Sequence, residues 1–333
     1  MKKIRGLCLI AALGFFTTVG GTAFQVSANA ATTIEVSSNG KSLESAVASA
    51  KAGDTINIIG TVKSGTIKVP AGVKITGMKG NGKIDFSSTS GSSGRGLVIN
   101  TDGSTITDLE IYGAADNGIY VEGSKNKLTN LKVHNNKDAG VQLSNGAADN
   151  TLNNVYSYSN ADKTGENADG FAIKLHSGTG NKLVDCTAEG NSDDGYDLYA
   201  AHGAVTFTRC KAINNGNCNG IKGDGNGFKL GGVDNKTSGV AAHLDPLNHV
   251  LTDCVAIGNT KSGFDRNNQN GQIKMKNCTA ENNGKYNFNF PLKGKPSALG
   301  YEVTFAKAIM DGCTSKNGKN MINGATLSNC TGF

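Results

Sequence analysis

The chain has 333 residues and a formal net charge of +6, with 46 glycines, 4 prolines and no tryptophan. Hydrophobic residues make up 37%, aromatics 6% and charged residues 18%, so a core must be assembled from many small aliphatic contacts, which excludes coiled coils and long-helix bundles. The polar content rests on Asn, Ser, Thr and Gly, which favour turns over helix interiors and point to repeated short strands.

Met1-Lys2-Lys3-Ile4-Arg5 is a basic segment followed by an apolar stretch from Leu7 to about Val19, and Ala28-Asn29-Ala30 supplies a small-x-small cleavage pattern. Residues 1–30 are expected to be a Sec-type signal peptide, and residues 31–333 a single secreted, extracellular domain with no membrane association in the mature form. Removing residues 1–30 takes away Lys2, Lys3 and Arg5 and no acid, so the charge falls from +6 to +3. That is too small and too scattered for a nucleic-acid stripe. Next, Ser42 to Ala50 places Leu43, Ala46, Val47 and Ala50 on one helical face, and Gly53-Asp54 turns into a strand over Thr55–Ile59. This reads as a short N-terminal capping helix.

From residue 110 onward the chain repeats. Cys186-Thr-Ala-Glu-Gly-Asn191, Cys210-Lys-Ala-Ile-Asn-Asn215, Cys254-Val-Ala-Ile-Gly-Asn259 and Cys278-Thr-Ala-Glu-Asn-Asn283 are versions of one phrase, which Leu131–Asn136 and Val155–Asn160 repeat with aliphatics in the cysteine place. A second phrase, Gly-apolar-x-apolar, follows at Gly118, Gly140, Gly170, Gly195 and Gly227, with spacings of 22, 30, 25 and 32 residues. A third alternation precedes each cysteine position, as in Asn126-Lys-Leu128, Asn150-Thr-Leu152 and Asn181-Lys-Leu183. Three short alternating segments per repeat, joined by Asn/Gly turns, describe an all-β, single-domain parallel β-helix. The asparagines at 136, 160, 191, 215, 259 and 283 are expected to form an internal ladder, with left-handed turn residues as the alternative role. Cys186, Cys210, Cys254, Cys278, Cys313 and Cys330 are expected to be buried filler, with Cys218 apart in a loop. No CxxC or zinc-like Cys/His spacing occurs, and the five histidines are expected to be structural. A self-contained solenoid implies a monomer.

Corresponding positions of consecutive coils lie side by side, so the repeats predict contacts. The outward position of the second phrase reads Tyr120, Gln142, Ala172, Asp197, Lys229 and Asp265, and the position before its glycine reads Asn117, Ala139, Asp169, Asp194, Asn226 and Ser262. Asp169, Asp193, Asp194 and Asp197 should therefore converge, with Lys229 one coil further on. Crowded carboxylates repel unless a cation sits among them, and an all-oxygen set selects a hard ion, Ca²⁺ in an extracellular setting; a solvated acidic patch is the alternative. Lys174, Lys229 and Arg266 nearby suit the site to an extended anionic polymer, with Lys174 and Arg266 as contacts to substrate carboxylates.

Asn167-Ala168-Asp169-Gly170-Phe171-Ala172-Ile173-Lys174-Leu175, Asn191-Ser192-Asp193-Asp194-Gly195-Tyr196-Asp197-Leu198, Gly225 to Gly232 and Gly258 to Asp265 resemble the family nine polysaccharide lyases. These are calcium-dependent pectate lyases with a right-handed parallel β-helix. The likeness is dense from about residue 110 to 290; the rest matches only in general β-helix character. The resemblance implies cleavage of polygalacturonate by β-elimination, with Ca²⁺ held by Asp169, Asp193, Asp194 and Asp197 and with Lys229 as the Brønsted base. The chemistry is consistent with that. Eliminating across C4 and C5 of a uronate requires removal of a weakly acidic proton beside a carboxylate whose charge is neutralised, and a neutral lysine base implies an alkaline optimum. Two other readings use the same fold: an inverting polygalacturonase-type hydrolase with two carboxylates about 6.5–9.5 Å apart, and a non-catalytic polysaccharide-binding β-helix.

Overall fold

Asparagine and glycine turns divide the sequence into coils, and the computed structural model shows how those coils stack. It describes residues 30–77, 80–234, 239, 241–242 and 244–333. The signal peptide expected over residues 1–30 lies outside these except for Ala30, as does His243. Residues 31–333 form one unit. Its strands collect into a 19-stranded and a 10-stranded sheet, and neighbouring strands within each pair in parallel. The fold is the expected right-handed parallel β-helix. Two short antiparallel hairpins sit outside the main sheets, one of them pairing Asn217–Cys218 with Ile221–Lys222.

The capping helix covers Leu43–Ser49, and the Ser42 side chain accepts from the Ser45 N–H at 3.2 Å to satisfy a free helix-end donor. Leu43 and Ala46 are buried, and Val47 and Ala50 pack partly buried against the core. Under the 10-stranded sheet runs an aromatic stack, Phe171–Tyr196–Phe228–Phe264–Phe288, with successive ring centroids 5.0, 4.4, 4.9 and 5.1 Å apart. One aromatic per coil at this spacing matches the strand separation of about 4.8 Å, so each ring reinforces the register of the next. The cysteine column lines the other side of the core as free thiols, buried from Cys186 to Cys313 and half-buried at Cys330.

The asparagine ladder is continuous. Asn136 donates its backbone N–H and its Nδ2 to Asn160 Oδ1 at 3.1 and 2.9 Å, and the same double contact links 160 to 191, 191 to 215, 215 to 259 and 259 to 283. The left-handed residue of each turn is the one before the ladder asparagine: Asn135, Ser159, Gly190, Asn214, Gly258 and Asn282. Turn geometry and ladder are thus divided between adjacent positions.

A second ladder stands at the third alternation. Ser104 N–H donates to Asn126 Oδ1, Asn126 N–H to Asn150 Oδ1 and Asn150 N–H to Asn181 Oδ1, at 2.8, 2.9 and 3.1 Å. Two coils on, His249 takes this place, its Nδ1 accepting from the Val205 N–H at 3.0 Å. Full burial pushes the His249 imidazole from its ordinary 6.5 down to about 3. The folded state therefore holds it neutral, while the unfolded chain binds a proton below about pH 6.5. Its contribution is complete above pH 6.5 and is lost as pH falls towards 3, at up to about 1.4 kcal/mol per pH unit. His249→Asn, which restores the ladder residue used in other coils, should move the acid-unfolding midpoint to lower pH; an unchanged midpoint by circular dichroism would show that His249 does not limit acid stability.

Candidate metal and polysaccharide site

The column register predicted from the repeats is the register observed. Tyr120, Gln142, Ala172, Asp197, Lys229 and Asp265 are successive Cα partners across the 10-stranded sheet. In the turn before each strand, Gly140 donates to the Asp169 carbonyl and Gly170 to the Asp194 carbonyl, which stacks those two aspartates one coil apart. Asp197 follows on strand Tyr196–Asp197, Lys229 on strand Phe228–Lys229, and Lys174 directly after strand Phe171–Ile173.

Asp169, Asp193, Asp194 and Asp197 are all buried. Carboxylate oxygens of Asp169, Asp194 and Asp197 lie within 4.8 Å of one another, and a second group joins Asp193 and Asp194 to Asp224. Two ammonium groups enter the cluster. Lys174 Nζ is 2.7 Å from Asp169 Oδ2 and 3.1 Å from Asp197 Oδ2; Lys229 Nζ is 3.0 Å from Asp194 Oδ2, 3.7 Å from Asp197 Oδ1 and 3.4 Å from Asp224 Oδ2. Backbone amides hold the carboxylates in place: Asp194 N–H donates to Asp169 Oδ1, Asn226 N–H to Asp194 Oδ1, Asp224 N–H to Asp193 Oδ1 and Tyr199 N–H to Asp197 Oδ1.

The electrostatics of this arrangement are unbalanced. Burial pushes the Asp193 carboxyl up to about 8, with the Asp194 charge adding to it. Burial likewise raises Asp194, and it raises Asp169 well above the carboxylate range against the pull of Lys174. Burial also opposes ionisation of Asp197, but Lys229 and Lys174 outweigh it and hold that carboxyl low. For Lys229, burial disfavours the charge, yet Asp194 and Asp197 together hold the ammonium well above its ordinary value. Four aspartates against two lysines leave an excess of two negative charges when all are ionised. A divalent cation has that charge. Asp194 Oδ2 is buried and accepts no hydrogen bond among the described residues, facing only the Lys229 ammonium. A buried carboxylate oxygen held by an ion pair but by no hydrogen bond, in an all-oxygen donor set, fits a hard cation such as Ca²⁺.

The cluster opens into a cleft of about 670 Å³ whose lining includes Lys174, Asp193, Asp197 and Lys229. One wall comes from two insertions, the turn bearing Thr164, Glu166 and Asn167 and the hairpin bearing Lys222, Gly223 and Asp224. They touch: Gly165 has φ +78°, and a Cβ there would strike the Lys222 carbonyl. Asp224, which the column argument did not collect, bridges Lys229 to Lys261, whose Nζ is 2.9 Å from Asp224 Oδ1. The repeat spacing carried a signal for this wall. The two insertions fall in the two longest of the four intervals between Gly118 and Gly227, the 30 residues between Gly140 and Gly170 and the 32 between Gly195 and Gly227.

Arg266 requires a correction. Expected as a contact for substrate carboxylates, it is fully buried, donates to the Ala306 carbonyl at 2.6 Å and the Pro291 carbonyl at 3.4 Å, and lies over the Phe305 and Phe290 rings. Burial lowers its guanidinium to about 10. In Gly263-Phe264-Asp265-Arg266 it occupies the second apolar slot, so strand alternation turns it inward. Lys174 does line the cleft, with its ammonium already engaged by Asp169 and Asp197.

Residues 22–302 match the family described as "Pel9A-like, right handed beta helix region". Among curated proteins, the chain is 38% identical over 227 residues to pectate lyase L of Paenibacillus polymyxa (strain SC2), covering 62% of this chain and 48% of that protein. It is 41% identical over 150 residues to pectate lyase L of Dickeya dadantii (strain 3937), covering 43% and 33%. The chain thus matches about half or less of the length of these relatives. The crystal structure of pectate lyase Pel9A superposes with a TM-score of 0.76 at 28% identity, covering 90% of this chain and 79% of that one. A rhamnogalacturonan lyase at 21% identity, also with a TM-score of 0.76, shares the fold.

Arg266→Ala should lower stability by about 2–4 kcal/mol in chemical denaturation, because it empties a filled, fully buried site and strips two part-buried carbonyls of their donor. A loss below 0.5 kcal/mol would contradict the structural role.

Proposed function

The chain belongs to the Pel9A-like right-handed β-helix family, and from that premise we propose that it is a secreted pectate lyase, cleaving 4-linked polygalacturonate by Ca²⁺-assisted β-elimination. The observation that carries this reading is one juxtaposition: Lys229 Nζ stands 3.0 Å from Asp194 and 3.7 Å from Asp197, so a lysine base adjoins a buried carboxylate cluster that carries two excess negative charges when fully ionised. Asp169, Asp193, Asp194 and Asp197 would hold the ion. When bound, Ca²⁺ neutralises the substrate carboxylate and offsets the aspartate charge that otherwise keeps Lys229 protonated.

The chain's own residues then do the following. Lys229, at the mouth of the cluster, takes the C5 proton; the C5–H electron pair becomes the C4–C5 double bond, and the C4–O bond breaks with its electron pair going to the oxygen, which takes a proton from solvent and departs with the other half of the polymer. Asp224, held by Lys261 at 2.9 Å, fixes the direction in which the Lys229 side chain extends into the cleft. Lys174, braced by Asp169 and Asp197, adds positive charge on the cleft floor where a uronate carboxylate settles. A buried lysine in a shaped cleft is positioned before substrate arrives, which lowers the barrier by orientation as well as by basicity.

Incubated with polygalacturonate and Ca²⁺, the protein should generate ultraviolet absorbance from unsaturated uronate ends, and excess chelator should abolish it. Lys229→Ala should reduce the rate by about 10²–10⁴-fold while Ca²⁺ still raises the unfolding midpoint. Asp194→Asn should lose that Ca²⁺-dependent stabilisation. New reducing ends without absorbance would replace the lyase reading by hydrolysis. For the exported form, mass spectrometry of protein secreted by a bacterial host should find Ala31 at the N-terminus; retention of residues 1–30 in the secreted form would refute the signal peptide.

A further inference from the structure

One cation in the cleft has no part in the chemistry above. Lys222 lines the cleft and is exposed. The other lysines of the site are committed: Lys174 to Asp169 and Asp197, Lys229 to Asp194, Asp197 and Asp224, Lys261 to Asp224. Among the described residues Lys222 has no ion-pair partner, although four acids, Glu166, Asp193, Asp197 and Asp224, line the same cleft. Its backbone is nonetheless braced. Strand Ile221–Lys222 pairs antiparallel with Asn217–Cys218, Cys218 is buried, and Gly165 packs against the Lys222 carbonyl. A fixed backbone with a free ammonium at its end is suited to receive an anion from outside the protein.

An unesterified polyuronate supplies such anions in series. Each sugar carries a carboxylate, so a chain lying in the cleft brings further carboxylates beside the one addressed by the aspartate cluster and Lys174. Lys222 is two residues from Asp224, at most about 7 Å along the backbone, and Asp224 Oδ2 is 3.4 Å from Lys229 Nζ. Lys222 and Lys229 thus line one cleft at a separation that a neighbouring sugar of a bound polymer can span. We propose that Lys222 binds the carboxylate of this neighbouring uronate and so sets the preference of the cleft for unesterified polymer. The proposal rests on the polyuronate reading of the site and adds to it a second, metal-independent carboxylate contact supplied by the hairpin.

The test compares the wild type with Lys222→Gln and Lys222→Arg. On polygalacturonate with Ca²⁺, Lys222→Gln should raise KM about 5- to 10-fold with kcat within about twofold, the signature of a lost ground-state contact, and Lys222→Arg should restore KM. On heavily methyl-esterified pectin, wild type and Lys222→Gln should differ by less than about twofold, since the neighbouring carboxylate is then uncharged. An unchanged KM on polygalacturonate, or a KM difference that persists on the esterified polymer, overturns the proposal. Calorimetric titration of a galacturonate oligomer, read without turnover, separates this from the catalytic reading. Weaker binding by Lys222→Gln supports the contact even if the wild type releases no unsaturated ends, in which case only the lyase reading fails; equal affinities of the two proteins overturn the Lys222 contact even if the wild type is an active lyase.

Discussion

Everything in this molecule depends on keeping successive coils in register at about 4.8 Å. Backbone hydrogen bonds alone would permit slippage between such short strands, some only two residues long. The buried asparagines remove that freedom. Each ladder Oδ1 accepts from the preceding coil's backbone N–H and Nδ2, as at Asn191 and Asn215, so a one-residue slip would leave several buried polar groups unpaired, at about 1–3 kcal/mol each. The aromatic stack acts in the same sense on the apolar side, because Phe171, Tyr196, Phe228 and Phe264 stack well only when their coils are aligned.

Register in turn makes the site. Asp169, Asp194 and Asp197 come from different turns and strands, and no local sequence rule would bring them within 4.8 Å; the stacking of coils does. The cost of that convergence is repulsion, visible in the Asp193 carboxyl raised to about 8. Lys174 and Lys229 offset part of it, and full ionisation of the four aspartates would leave an excess of two charges. The backbone amides that pin each carboxylate leave one oxygen of Asp194 without a hydrogen bond. Rigidity from the solenoid and frustration from the charges occur at the same residues, so the cluster is a buried, preorganised set of carboxylates and not a row of freely solvated side chains.

The sequence made the architecture legible because a solenoid repeats its rule in every coil. The Cα partners Tyr120 to Asp265, the ladder from Asn136 to Asn283 and the buried cysteines could all be read by aligning repeats. What escaped were departures from the rule. The second ladder was hidden because Asn126, Asn150 and Asn181 read as strand starts, and because the column passes to Val205 and His249 later in the chain. Arg266 was misread because its charge outweighed its slot: the alternation that put Asp265 outside put Arg266 inside. Asp224 was missed because it lies in an insertion, where column alignment has no counterpart to compare.

Those insertions explain how one repeated scaffold acquires a particular cleft. The 10-stranded sheet offers a regular row of side chains along its length, and such a row by itself is symmetrical from coil to coil. The turn around Gly165 and the hairpin at Asn217–Lys222 break that symmetry at one place, meeting beside the turn that carries Asp193. They turn an open face into a cleft, bring Asp224 against Lys229, and add side chains, Glu166 and Lys222, that the coils themselves do not supply. The scaffold therefore fixes where the buried charges lie, while the loops determine what approaches them. Exposed insertion residues such as Glu166 and Lys222 can vary without touching the buried carboxylates, whereas Asp224, whose N–H holds Asp193 and whose carboxylate meets Lys229, ties the hairpin to the cluster.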